Sequence, residues 1–195
     1  VFDFDGTITR RDNLAPYLAR VRGRLPFALA PAREAAAFAG WALGRCDLDA
    51  VKRRMIRRLL AGVPVDVARA AARVHACAVV RHFRRAALER IAWHRAQGHR
   101  LVLVSAGLDL YLEPVGRALG FDDVLCSRLA VRDGRFTGAL AGPDCTGPEK
   151  RRRLEARVGD LAAIELHAYG DSAGDAALLA AAAHAHWRPF RRGRP

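Results

Sequence analysis

Leu101-Val-Leu-Val-Ser105 lacks the apolar–polar alternation of a strand that wets one face. Such a strand is covered on both sides, the condition met by a parallel sheet with helices above and below. The rest of the chain repeats the theme. Helical spacing over Leu108–Leu119 closes at Gly120, and a short strand comes at Asp123–Ser127. Pro148 opens a helix over Glu149–Val158, and Glu165–Tyr169 and Ala176–Ala183 supply one more strand and helix. Asp133-Gly134 marks a tight hairpin inside this series. VFDFD at the start is a further buried-strand candidate. The expected fold class is α/β, a doubly wound parallel sheet.

Residues 13–85 break that alternation. Helical patterns over Asn13–Arg24, Phe27–Leu43, Asp49–Leu60 and Pro64–Phe83 succeed one another, before Arg85–Gln97 leads back to the sheet. Asp12 or Asn13 is placed to cap the first of them. The block reads as an all-helical cap inserted into a catalytic core made of residues 1–12 and 86–195. It would sit over the carboxyl edge of the sheet, where such sheets bind ligands.

Formal net charge is +13, and Lys52 and Lys150 are the only lysines. The arginines spread over every segment instead of forming a stripe interleaved with aromatics, which argues against a nucleic-acid interface. A small phosphorylated substrate or an anionic membrane surface suits the balance better. The apolar stretch Leu25–Leu43 is interrupted by Pro26, Pro31, Arg33 and Glu34, so it reads as a cap or interfacial helix rather than a span. Cys46, Cys77, Cys126 and Cys145 form no CxxC pair, which points to a reducing compartment. His184 and His186 have no second ligand pair in sequence and read as a strand end, not a metal site. The chain opens on Val1 without a secretory signal, as a trimmed first strand would. A cytoplasmic location is expected, with a peripheral position at the inner membrane as the alternative. Oligomeric state leaves no mark in the sequence.

Four short stretches come directly after strands or open helices. In DFDGT (Asp3–Thr7), side chains two apart point the same way, so Asp3 and Asp5 can converge as Gly6 turns the chain out of the sheet. Paired carboxylates repel unless a cation or a proton relieves them. The stretch lacks the further ligands and terminal Glu of an EF-hand. In VSAG (Val104–Gly107), a hydroxyl and small residues with free N–H groups make an anion cradle of Ser105, Ala106 and Gly107. Lys150 opens a helix where arginine serves almost every other basic position, which suggests a need for a compact point charge. In YGDSAGD, Asp171 and Asp175 are spaced to share one face of a helical turn.

In this order, DFDGT, VSAG, Lys150 and GDSAGD resemble the haloacid dehalogenase-like superfamily of phosphohydrolases, along the whole chain. The helical insertion and the RDGRFTG hairpin resemble its subgroup IB, which contains phosphoserine phosphatase. The insertion is also similar to that of phosphatidylglycerophosphatase C, a membrane-associated lipid phosphatase. The resemblance implies a Rossmann-like sheet and Asp3 as a nucleophile that forms an aspartyl-phosphate. It implies Asp5 as the acid and base, and Mg²⁺ on Asp3, the Asp5 carbonyl and Asp171, with Asp175 holding its water shell. Ser105, Lys150 and the backbone at Ala106 and Gly107 would hold phosphate oxygens. The subgroup's substrate-reading acid, a Glu, is replaced by Asp12, and its cap arginine corresponds to Arg53, Arg54 or Arg57. Where Gly174 stands, phosphoserine phosphatases carry Asn.

Three functions are then open. The first is a Mg²⁺-dependent phosphomonoesterase acting on a small organic phosphate, phosphoserine included. The second is a lipid-phosphate phosphatase at a membrane. The third is a catalytically retired basic binding protein, against which the intact Asp3–Asp5 pair stands.

Overall fold

The computed structural model describes residues 1–45 and 47–191; Cys46 and the last four residues lie outside it. The opening segment enters the middle of the sheet. Phe2 lies parallel between Leu103 and Tyr169, donating its N–H to Val102 O (2.9 Å) and accepting from Val104 N (2.9 Å). On one side stand β1 (Val102–Leu108) and β2 (Asp123–Ser127), and on the other β5 (His167–Gly170) and β6 (His184–Trp187), all parallel. The order β2–β1–Phe2–β5–β6 has its switch point at the opening segment. Three chain segments therefore leave the carboxyl edge side by side.

Side-chain alternation shows why both faces need cover. Val1, Val102, Val104 and Ala168 point to one face, against Leu154 of α8 (Pro148–Val158) and Leu178 and Leu179 of α9 (Ala176–Ala180). Phe2, Leu103 and Tyr169 point to the other, against Ile91 of α6 (Arg85–Ala96) and Leu112 and Val115 of α7 (Asp109–Ala118). Phe2 and Tyr169 stack at 4.4 Å, so the central strand is anchored by aromatic contact as well as burial. β3 (Leu129–Arg132) and β4 (Arg135–Leu140) form the hairpin, with Asp133 and Gly134 both at positive φ as a two-residue turn of matching twist requires.

Residues 14–79 form five helices: α1 (Leu14–Arg22), α2 (Arg24–Arg33), α3 (Ala35–Ala42), α4 (Leu48–Leu60) and α5 (Val65–Val79). The single helix expected over Phe27–Leu43 is two. Glu34 stands at the break with non-helical dihedrals, and Pro31 cannot donate to the helical ladder. The last helix is also shorter than expected, ending at Ala180. Asp12, not Asn13, caps α1, its Oδ1 accepting from Leu14 N (3.0 Å) and Ala15 N (3.2 Å). Leu14, Tyr17, Ile56, Leu60 and Ala72 belong to the same buried cluster as Phe2 and Leu103, so these helices share the core of one sheet face.

The hairpin ties into this block through Gly138. A Cβ there would lie 2.8 Å from Arg57 Cα and 2.9 Å from its carbonyl oxygen, both backbone atoms that cannot swing aside. Gly138→Ala is therefore expected to cost roughly 2 kcal/mol or more, by the overpacking of a close backbone approach. Chemical denaturation that finds the variant within a few tenths of the parent would contradict this.

Candidate active site

At the carboxyl edge, the chain leaving the opening strand presents Asp3, whose N–H is held by Tyr169 O (2.9 Å). The chain leaving β5 presents Asp171, and the turn after it presents Asp175. Gly170 permits that turn, because a Cβ there would lie 2.6 Å from Asp175 Cβ. Lys150, on the first turn of α8, sends its Nζ between two of them, 2.6 Å from Asp3 Oδ1 and 2.6 Å from Asp175 Oδ1. The other Asp175 oxygen accepts from Asp171 N (3.1 Å), Ser172 N (3.0 Å) and the Ser172 hydroxyl (2.9 Å). Asp171 pairs with the Arg191 guanidinium. One carboxylate oxygen from each of Asp3, Asp171 and Asp175 lies within 4.8 Å of the others.

All three acids are buried, and so is Lys150. Burial pushes the Asp3 carboxyl up to about 6, although Lys150 pulls the other way. Burial also acts to raise Asp175, but Lys150 and the Ser172 donors outweigh it and hold the carboxyl low. For Lys150, burial favours the neutral amine, and Asp3 with Asp175 overcomes it and raises the pKa. The Lys150 ammonium and the Arg191 guanidinium against three carboxylates still leave an excess of negative charge. An all-oxygen set of this kind fits a hard divalent cation such as magnesium better than zinc.

Asp5 makes its side-chain hydrogen bonds outside that set. Its Oδ1 accepts from Asn13 Nδ2 (2.5 Å) and the Thr9 hydroxyl (3.4 Å), and burial, with Asp12 nearby, pushes its pKa up to about 8. Such a carboxyl carries a proton at neutral pH. Gly6 makes the bend between the two aspartates, with φ +82°, and a Cβ on it would sit 2.7 Å from Asp171 Cγ. Only glycine gives both the dihedral and the room.

Ser105, Ala106 and Gly107 do not form a loop. They continue β1 as an irregularity, where the register to β2 slips between Ser105 and Leu108. Gly107 N donates to Ser105 Oγ (3.1 Å). The structure adds two residues to this neighbourhood. Thr7, inside DFDGT, has a buried hydroxyl with no partner, the kind of orphan a ligand oxygen would satisfy. Lys52, on α4, reaches Ala106 O (2.7 Å) and Asp144 Oδ2 (2.9 Å). The sequence marks it as one of only two lysines in an arginine-rich chain. Arg53, Arg54 and Arg57 instead line a separate cleft of about 850 Å³ with Arg33 and Arg58. Asp12 is engaged in capping α1.

A sequence profile of the haloacid dehalogenase-like hydrolases matches residues 1–180. Protein CicA of Caulobacter vibrioides is 34% identical over 200 residues, covering 100% of this chain and 86% of that protein. A Bordetella pertussis Tohama I protein of unknown function superposes with a TM-score of 0.74 at 26% identity, over 92% of this chain and 84% of that one. A substrate-bound phosphoserine phosphatase superposes with a TM-score of 0.65 at 25% identity, over 93% and 80%.

The raised pKa of Asp5 has a consequence for stability. The fold holds this proton to about pH 8, whereas an unperturbed Asp releases it near 3.8. Between those values the unfolded chain loses its proton first, so metal-free protein loses stability as pH rises from about 4 to about 8. Asp5→Asn removes the effect. In chelator at pH 8 the variant is expected to be more stable than the parent, on the order of a few kcal/mol, with the gap closing towards pH 4. Denaturation curves with a pH-independent gap would refute it.

Proposed function

The chain belongs to the haloacid dehalogenase-like hydrolases and is a phosphatase, and we propose that it hydrolyses a small organic phosphate monoester with Asp3 as nucleophile. The observation that carries this reading is the buried ammonium of Lys150 bonded to both Asp3 and Asp175, with Asp171 in the same cluster. Residues 13–85 serve as its cap and 1–12 with 86–195 as its catalytic core.

An Asp3 oxygen attacks phosphorus while the ester P–O bond breaks, leaving phosphate bonded to Asp3. Asp5 gives its proton to the departing alcohol oxygen, the role that a carboxyl protonated near neutrality suits. Asp5, now ionised, takes a proton from the water that attacks the aspartyl-phosphate, and Asp3 is regenerated with release of phosphate. Lys150 offsets phosphoryl charge and keeps the attacking carboxylate aimed. The Ser105 hydroxyl and the backbone N–H groups beside it, with Thr7, receive phosphate oxygens. Mg²⁺ held by Asp3, Asp171 and the Asp5 carbonyl, with Asp175 behind them, would supply the positive charge that phosphoryl transfer demands.

Phosphoserine is disfavoured as substrate. The acid that would read its ammonium, Asp12, already accepts two helix N–H groups. Beside Gly174, a Cβ would meet the Thr146 hydroxyl at 2.8 Å, so the place of the subgroup's Asn is partly filled. Lys52 is the basic cap residue closest to the cradle in bonding terms, through Ala106 O.

Asp3→Asn is expected to lower hydrolysis of an aryl phosphate by on the order of 10³-fold or more, with the circular dichroism spectrum unchanged. Chelator should abolish the parent's activity and magnesium restore it. Full turnover by the variant would overturn the mechanism.

A second reading, a lipid-phosphate substrate, is favoured by one surface. Leu25, Leu29, Trp41 and Leu43 of the α2–α3 region are exposed, and the exposed Arg22, Arg24, Arg33 and Arg45 flank them in sequence. No helix among the described residues is long and apolar enough to cross a membrane. Apolar side chains rimmed by arginine suit an anionic bilayer surface. Flotation with anionic liposomes at low salt is expected to carry the protein upward, and Leu25→Glu with Leu43→Glu to release it. No association at low salt would leave the first reading alone.

A further inference from the structure

We infer that Glu165, His167 and His184 form a second metal site, for a divalent transition ion of the zinc type, at the end of the sheet opposite the carboxylates. β5 and β6 are neighbours in register, with His167 paired to His184, so the two imidazoles leave the same face side by side. Their rings lie 4.2 Å apart and 17° from parallel. Glu165, two residues before His167, turns back onto both. Its Oε1 is 3.0 Å from His184 Nε2 and 3.6 Å from His167 Nε2, and one ligand atom from each residue lies within 4.8 Å of the others.

Those spacings are near what an ion requires. Ligands bound tetrahedrally at about 2.1 Å lie about 3.4 Å from one another. Near-parallel rings cannot both aim in plane at one ion, so one ring has to turn. His184, at 46% side-chain exposure, is free to do so. A cleft of about 300 Å³ opens beside Glu165 and His167, lined also by His94 and His99, with room for water at a fourth position. Two imidazoles and a carboxylate suit zinc, nickel or copper, whereas the Asp3 set is all oxygen. β5 spans about 10 Å from His167 to Gly170 at 3.3 Å per residue, so an ion here touches none of the catalytic acids. It would clip β5 to β6 at their amino ends. The inference is independent of the proposed hydrolysis.

The test is zinc titration of protein without a polyhistidine tag, in excess magnesium, read by competition with a chromogenic chelator. One zinc per chain is expected in the micromolar range or tighter, with a raised thermal midpoint. His184→Ala and Glu165→Gln should each weaken binding at least ~10-fold, with zinc-free thermal midpoints near the parent's. Asp171→Asn should leave it in place. Cobalt in the parent should give the intense visible bands of a tetrahedral nitrogen–oxygen site, a readout that does not depend on any variant. No zinc binding at micromolar concentration, binding that survives His184→Ala, or only weak octahedral cobalt bands would each overturn the site.

Discussion

A single buried ammonium organises the carboxyl edge. Lys150 Nζ bonds to Asp3 at the end of the opening strand and to Asp175 in the turn after β5. In one contact it joins α8 to the two segments that carry the acids. Removing the ammonium would leave two buried carboxylates without their counter-charge, the costly half of a buried ion pair. Asp175 is fixed on its other side by three donors from Asp171 and Ser172, so the lysine pulls on a carboxylate that cannot follow it. That rigidity holds Asp3 in place.

The same edge is electrostatically unfinished. Asp3 and Asp5 both have carboxyl groups raised by burial, and Arg191 bonds Asp171 from the chain's far end. A site built for stability alone would replace such acids with neutral groups. Concentrated negative charge where three strands end is the kind of feature a divalent cation would relieve.

The helical block is not an independent lobe. Tyr17 donates to Ala68 O (3.1 Å), and its ring lies 5.2 Å from that of Tyr111 on α7. Buried residues of α1, α4 and α5 continue into the cluster that covers one sheet face. Through Lys52 the block also bonds to Ala106, in the irregular end of β1. That charge-assisted hydrogen bond ties α4 to the end of β1.

Much of this was written locally in the sequence. The unbroken apolar run at Leu101, the Asp133-Gly134 hairpin and the Pro148 helix start each arise from backbone and solvation rules that act over a few residues. So does the placing of Asp3 and Asp171 after strands and of Lys150 at a helix start, which sends them to one edge. Tertiary structure decided what depends on distant partners. The direction of the Asp5 side chain was set by Asn13, eight residues away in sequence. Lys52 became a neighbour of Ala106 only because α4 packs on β4, which brings its side chain to the end of β1. Glu165 and His167 meet His184 only because β5 and β6 pair in register, a contact between residues seventeen or more apart that no local pattern encodes.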